Sequence, residues 1–142
     1  MQLLYFGRGH TRGDIVVYLP NDKVAIVGDL VTGGPPFARD GYPHEWTETL
    51  AALETIDVNV VIPGHGRIQR SNRIFSDRRR FLDEALRVIR RESARGATPH
   101  EIADTIDLDS YRNTFDPEPP ERPWRGWMRM LVERTLAGST PK

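Results

Sequence analysis

The stretch Val58-Asn59-Val60-Val61-Ile62-Pro63-Gly64-His65-Gly66 decides how this chain is read. An apolar, β-branched run ends abruptly in Gly-His-Gly. The run reads as a buried strand, and the flanking glycines let the backbone turn tightly where the strand stops. Two similar junctions lie upstream. Leu3-Leu4-Tyr5-Phe6 is followed by Gly9-His10-Thr11, and Val24-Ala25-Ile26-Val27 is followed by Gly28-Asp29. Strand ends are where open α/β sheets gather their ligands. Two imidazoles and a carboxylate converging there would make half of a metal site.

Working outward, residues 2–6, 14–19, 24–30 and 58–62 read as strands. The runs Ile15–Leu19 and Val24–Val27 are nearly continuous in apolar residues, which implies burial on both faces. Pro20-Asn21-Asp22-Lys23 between them is turn chemistry and predicts a hairpin. Residues 32–43 hold Gly33-Gly34-Pro35-Pro36 and Gly41-Tyr42-Pro43 and read as a loop. Trp46, Leu50 and Leu53 at helical spacing predict a helix over 44–56. Phe75, Leu82, Leu86 and Ile89, widened by Phe81, Ala85 and Val88, predict a long helix from about 71 to 95 that Gly96 stops. Thr98-Pro99-His100-Glu101 is a capping box with Pro at the first helical position, which predicts a short helix over 98–106. Residues 107–123 are rich in Asp, Glu and Pro and read as a loop. Trp124, Trp127, Met128, Leu131 and Leu136 mark a last helix ending near Gly138. The order gives an α/β (α+β) architecture, a mixed sheet with helices on its outer face.

Composition narrows the function classes. The chain has 142 residues, enough for one modest domain. Lys+Arg and Asp+Glu are both 20, so the formal net charge is zero and favours neither nucleic acid nor an anionic membrane. There is no Cys, which excludes disulfides and thiolate ligands. No apolar run approaches the roughly 20 residues of a bilayer span. No signal peptide is visible, so a cytoplasmic protein is expected.

His10, Asp29 and His65 carry chemistry that zinc uses. Catalytic zinc takes neutral imidazoles and carboxylates and leaves a position for water. Read in order, Gly9-His10-Thr11-Arg12-Gly13-Asp14, then Val27-Gly28-Asp29-Leu30, then Ile62-Pro63-Gly64-His65-Gly66 resembles the C-terminal half of a metallo-β-lactamase superfamily hydrolase. The motifs cover residues 2–66, and the helices to about 106 follow the family's usual order. The resemblance implies half of an αββα sandwich over residues 1–106. Residues 107–142, the Pro-rich loop and last helix, then belong to the same domain. It also implies that His10 ligates one metal ion, His65 a second, and Asp29, the catalytic residue, bridges them. Thr11 and Asp14 would stiffen the His10 loop through hydrogen bonds. The cofactor implied is Zn2+, one or two ions, with other divalent transition metals able to substitute. The reaction implied is attack of a metal-bound hydroxide on a carbonyl.

Two departures shape the expectation. The family's first motif, His-x-His-x-Asp-His, is absent: the histidines are His10, His44, His65 and His100, and no two are two residues apart. The chain is therefore expected to be a truncated domain, inactive alone, whose site a separate N-terminal half or a second copy completes. The true β-lactamases of the family place Cys near Asp29. An Asp there resembles the lactonase, thioesterase and glyoxalase-II-like branches, so an ester, thioester or lactone is the expected substrate.

Two alternatives follow from the residues. The chain could be a non-catalytic interaction module, or a homodimer pooling two copies of His10, Asp29 and His65. Residues 67–95 also carry ten Arg against Asp77, Asp83, Glu84 and Glu92. That is a candidate nucleic-acid face, although no aromatic interleaving supports base stacking, and a solvated helix face is the favoured reading. His44 and His100 are expected to be solvated. Trp124, Trp127, Met128 and Met130 either line an acyl pocket or form the apolar face of a helix.

Overall fold

Four strands form one sheet in the order β1 (Gln2–Leu4), β2 (Val16–Leu19), β3 (Val24–Gly28) and β4 (Val60–Pro63). The computed structural model describes residues 1–115 and 121–138. β1 and β2 pair antiparallel, as do β2 and β3, whereas β3 and β4 run parallel, so the sheet is mixed. The Pro20–Lys23 turn closes the β2–β3 hairpin, with the Lys23 amide donating to the Pro20 carbonyl. The parallel crossover from β3 to β4 passes through helix α1 (Pro43–Leu53).

Register explains which strand residues are buried. Tyr18, Ala25 and Val61 lie in one row across the sheet, and Leu3, Val17, Ile26 and Ile62 lie in the alternate row. The first face carries the core. Val16, Ala25, Val27 and Val61 pack with Trp46, Leu50 and Leu53 of α1, and with Phe75, Phe81, Leu82, Ala85 and Ile89 of α2 (Arg73–Ala94). Among the described residues the opposite face has no helical layer. Leu3 is 66 % exposed and Ile26 38 %, with Tyr5 and Ile15 also open. This corrects the expectation of burial on both faces. A continuous apolar strand is built to be covered twice, but within the described residues only one cover is present.

The two edges of the sheet also differ. On the outer side of β4, Val61 exchanges both of its backbone hydrogen bonds with Gln69, 2.9 Å each. Pro63 offers no N–H. β1 pairs only with β2, so among the described residues its outer edge is open.

The helices follow the apolar periodicity, with shifts at their ends. α1 stops at Leu53 because Glu54, Thr55 and Ile56 tighten into turn hydrogen bonds back to Leu50, Ala52 and Leu53. In α3 (Pro99–Thr105) the Thr98 hydroxyl accepts from the Glu101 amide, and the Glu101 carboxylate accepts from the Thr98 amide at 2.8 Å. These Thr98 hydrogen bonds hold the Glu101 carboxyl below its usual pKa. Residues 109–114 form a 3-10 helix, Asp109–Thr114, inside the segment read as loop. Its flanks, Leu108 and Phe115, are buried, which pins the tight turn at both ends. The rest of the predicted loop, residues 116–120, lies outside the described residues.

α4 (Glu121–Gly138) begins three residues before Trp124. Trp124 and Met128 are core residues and not a pocket lining. The Trp124 ring lies 5.9 Å from Phe81 and 5.8 Å from Phe115, centroid to centroid. No helix among the described residues is long and apolar enough to cross a membrane.

Candidate metal centre

The three strand-end residues meet at one end of the sheet. Asp29 follows the last residue of β3, His65 follows β4 by two residues, and His10 sits in the β1–β2 connection. The Asp29 carboxylate presents one oxygen to each imidazole. Oδ2 lies 3.7 Å from His10 Nε2, and Oδ1 lies 3.4 Å from His65 Nε2. Each ring therefore faces its own carboxylate oxygen. His65 is far more exposed than His10.

The backbone makes this approach possible. Gly28 adopts φ +55, a conformation that favours glycine. Its carbonyl accepts from the Gly64 amide at 2.8 Å, which joins the ends of the two parallel strands. Gly64 lies so close to Asp29 that a Cβ there would overlap the Asp29 carboxylate and come within 2.8 Å of the Gly28 carbonyl carbon.

The His10 ring is fixed from three sides. Its Nδ1 lies 3.1 Å from the Phe37 carbonyl oxygen. A carbonyl can only accept, so Nδ1 donates and, in a neutral ring, Nε2 on the Asp29 side is left as the acceptor. That is the tautomer a metal-ligating histidine needs. The Trp46 ring meets the imidazole edge-on at 5.9 Å, and Phe37 flanks it at 6.3 Å. The Trp46 indole N–H donates to the Leu30 carbonyl at 3.0 Å, one residue beyond Asp29. One buried indole thus braces both His10 and the Asp29 turn. The periodicity of α1 marked Trp46 as core, but nothing in the sequence placed it against His10. Phe37 carried no signal at all.

The His10 loop is closed locally. The Asp14 carboxylate accepts from the Thr11 amide at 2.9 Å and from the Thr11 hydroxyl at 2.7 Å, and that hydroxyl accepts from the Gly13 amide.

Arg78 is a second brace that the sequence did not single out. It is 2 % exposed, and it donates from Nε to the Thr32 carbonyl, from Nη2 to Gly33 and from Nη1 to Thr114. Its guanidinium lies 4.3 Å from the centre of the Phe115 ring. Burial pulls its pKa down to about 10. The Gly33 amide in turn donates to the His65 carbonyl at 2.7 Å. Arg78 therefore holds the loop that follows Asp29 and, through Gly33, the backbone of His65. Arg78→Met leaves one buried and two part-buried carbonyls without their donor and is expected to cost about 3 kcal/mol. Urea denaturation measures this, and an unchanged midpoint would show that the loop is held by other contacts.

Zinc fits this donor set in kind: two imidazole nitrogens and a bridging carboxylate. It does not fit in number. Each ion would receive one His and one carboxylate oxygen, and among the described residues no group of three or more His, Cys, Asp or Glu is placed to hold one ion. His44 and His100 stand apart from this set. His44 contacts Arg90 and the Thr135 carbonyl, and His100 pairs with Asp104.

Comparison with known proteins agrees with the geometry. Residues 2–65 match the model of the metallo-beta-lactamase superfamily. A metallo-beta-lactamase type 2 from Bacillus sp. (strain 170) is 31% identical over 74 residues, covering 48% of this chain and 29% of the relative. The one from Elizabethkingia meningoseptica is 33% identical over 70 residues, covering 45% and 28%. Among solved structures, the mono-zinc form of the metallo-beta-lactamase FIM-1 from Pseudomonas aeruginosa superposes with a TM-score of 0.53 at 25% identity. That superposition covers 58% of this chain and 39% of the other. Residues 2–65, less than half of the chain, thus match the metallo-β-lactamase superfamily, and the fold is similar to that of its solved members. It spans less than a third of the length of these curated relatives.

Proposed function

We propose that this chain carries one half of a two-zinc hydrolase site, with His10 on one ion, His65 on the other and Asp29 between them. The observation that supports it is the Asp29 carboxylate, with one oxygen toward each Nε2. Zinc bound there would supply a Lewis acid that polarises a carbonyl and lowers the pKa of water. The chain's own residues would hold Nε2 of His10 free and aimed, fix the carboxylate through Gly64 and Trp46, and brace the His65 backbone through Arg78. The remaining ligands come from a complementing N-terminal half or a second copy. The proposed substrate is an ester, thioester or lactone. The relatives are named β-lactamases, but Asp29 stands in a chain without Cys.

The test is zinc content by elemental analysis after dialysis, together with mass by light scattering. Retention of about one zinc per chain in a species larger than the monomer, lost in Asp29→Ala, supports the reading. A monomer that retains none and hydrolyses neither ester, thioester, lactone nor β-lactam in excess zinc overturns it.

A second reading, a non-catalytic association module, is favoured by the bare sheet face around Leu3, Tyr5, Ile15 and Ile26. Nucleic-acid binding is less favoured. On α2, Arg73, Arg79, Arg87 and Arg91 are each committed to a carboxylate, including the Glu54 partner of Arg79 on the neighbouring turn.

A further inference from the structure

Three guanidinium groups, two from the β1–β2 connection and one from α4, surround one tyrosine beside His10. The Arg8, Arg12 and Arg134 Cζ atoms lie 4.9, 6.0 and 5.5 Å from the centre of the Tyr42 ring. Arg8 and Arg12 flank His10 in sequence, and Arg134 arrives from α4. Tyr42 is fixed in place, since its amide donates to the Gly9 carbonyl at 2.8 Å. The cluster therefore adjoins the His10 loop directly.

Like charges so gathered repel, screened in part by water, and an anionic group placed among them would relieve that repulsion. One carboxylate does so in part: Glu45 accepts from Arg8 Nε at 2.6 Å. Arg12 and Arg134 have no carboxylate partner among the described residues. Arg12 Nε instead donates to the Tyr42 hydroxyl, and Arg134 Nε to the Gly41 carbonyl. All three arginines are thus anchored through Nε alone. Their terminal nitrogens, the donors that recognise carboxylate and phosphate in a fork, have no protein acceptor among the described residues. The same field holds the Tyr42 phenol below its usual pKa, chiefly through the Arg12 hydrogen bond. Arg134 also lines an open cleft of about 430 Å³ with Arg39, Arg129, Met130 and Glu133. The Arg39 guanidinium stacks 5.3 Å from Phe37, the residue whose carbonyl holds His10.

We infer that Arg8, Arg12 and Arg134 around Tyr42 form a receptor for an anionic group, a carboxylate or a phosphate, on the molecule whose carbonyl would face the His10–Asp29–His65 end of the sheet. As a substrate-recognition site it rests on the hydrolase reading above. As an anion site it stands on the cluster alone. The cleft beside Arg134 has room for the rest of such a ligand, with Met130 as its apolar wall.

The experiment is an NMR titration of the full chain, in chelator, with benzoate and with phenyl phosphate, and with benzyl alcohol as the uncharged control. Arginine Nε–H signals report the site. The expected result is saturable shifts at Arg12 and Arg134 with a Kd on the order of 1 mM, weakening as salt is raised, and no response to the alcohol. Tighter benzoate assigns a carboxylate, and tighter phenyl phosphate assigns a phosphate. Arg12→Gln, at an exposed position, is expected to weaken the better anion about tenfold, and Arg134→Lys, which keeps the charge but loses the fork, several-fold. Non-saturating drift spread over all arginines, or affinity unchanged in both variants, overturns the site. Zinc plays no part in this measurement. A chain that binds the anions but never holds zinc keeps the receptor and loses the hydrolase reading, and the converse result does the opposite.

Discussion

Replacing Trp46 by Ala is expected to remove much of this chain's stability. The indole is 1 % exposed and packs where α1 meets the strand ends. Truncating a buried aromatic to Ala costs about 3–5 kcal/mol. The Leu30 carbonyl also loses its donor, a further penalty of about 1–3 kcal/mol. Small domains hold only about 5–15 kcal/mol in total. Trp46→Phe separates the two contributions: it keeps most of the packing and removes only the indole N–H. Circular dichroism in urea should place Trp46→Phe between the parent chain and Trp46→Ala. If Trp46→Ala unfolded at the parent's urea midpoint, the packing of α1 on the sheet would not be what holds the fold.

Gly64→Ala is expected to damage the site at least as much as the fold. The added Cβ would overlap the Asp29 carboxylate and press on the Gly28 and Asp29 backbone, 2.8 and 2.9 Å away. A flexible side-chain tip could swing aside, but these backbone atoms belong to the paired strand ends and cannot. The cost is expected at the upper end of the overpacking range, about 3 kcal/mol. Asp29 must also leave its position between the two imidazoles. Zinc-dependent shifts of the His10 and His65 ring signals in NMR should vanish together in Gly64→Ala, at temperatures where the chain is still folded. Retained shifts in a folded variant would mean that Asp29 reaches the rings by another route.

What was legible in the sequence is what has a strong local cause. A His or Asp beside Gly at the end of a β-branched run can hardly be elsewhere than a strand terminus, and the structure brings His10, Asp29 and His65 to one end of the sheet. The α2 stripe and the Thr98–Glu101 capping box are short-range patterns and were equally readable. What was not legible depends on contacts between residues distant in sequence. Trp46 against His10, Phe37 behind its ring and Arg78 reaching Thr32, Gly33 and Thr114 are separated by 27 to 46 residues from what they touch. Arg78 was hidden among the arginines of α2, since a buried arginine and a solvated one read alike in a charged helix. The expectation of two-sided burial failed for a different cause. Strand composition records that both faces are apolar, but it does not say what, within this chain or outside it, would cover the second.

The unequal edges of the sheet set a limit on how copies of this chain can join. Among the described residues, Gln69 and Pro63 close β4, which leaves β1 as the edge that can recruit another strand. If two copies met through β1, the continuous sheet would end in a blocked β4 at either side. Growth by strand addition is therefore self-terminating at two chains, whereas open-ended fibres need a template at both edges. In such a pair the Val61–Gln69 bridge would cap the sheet at either end.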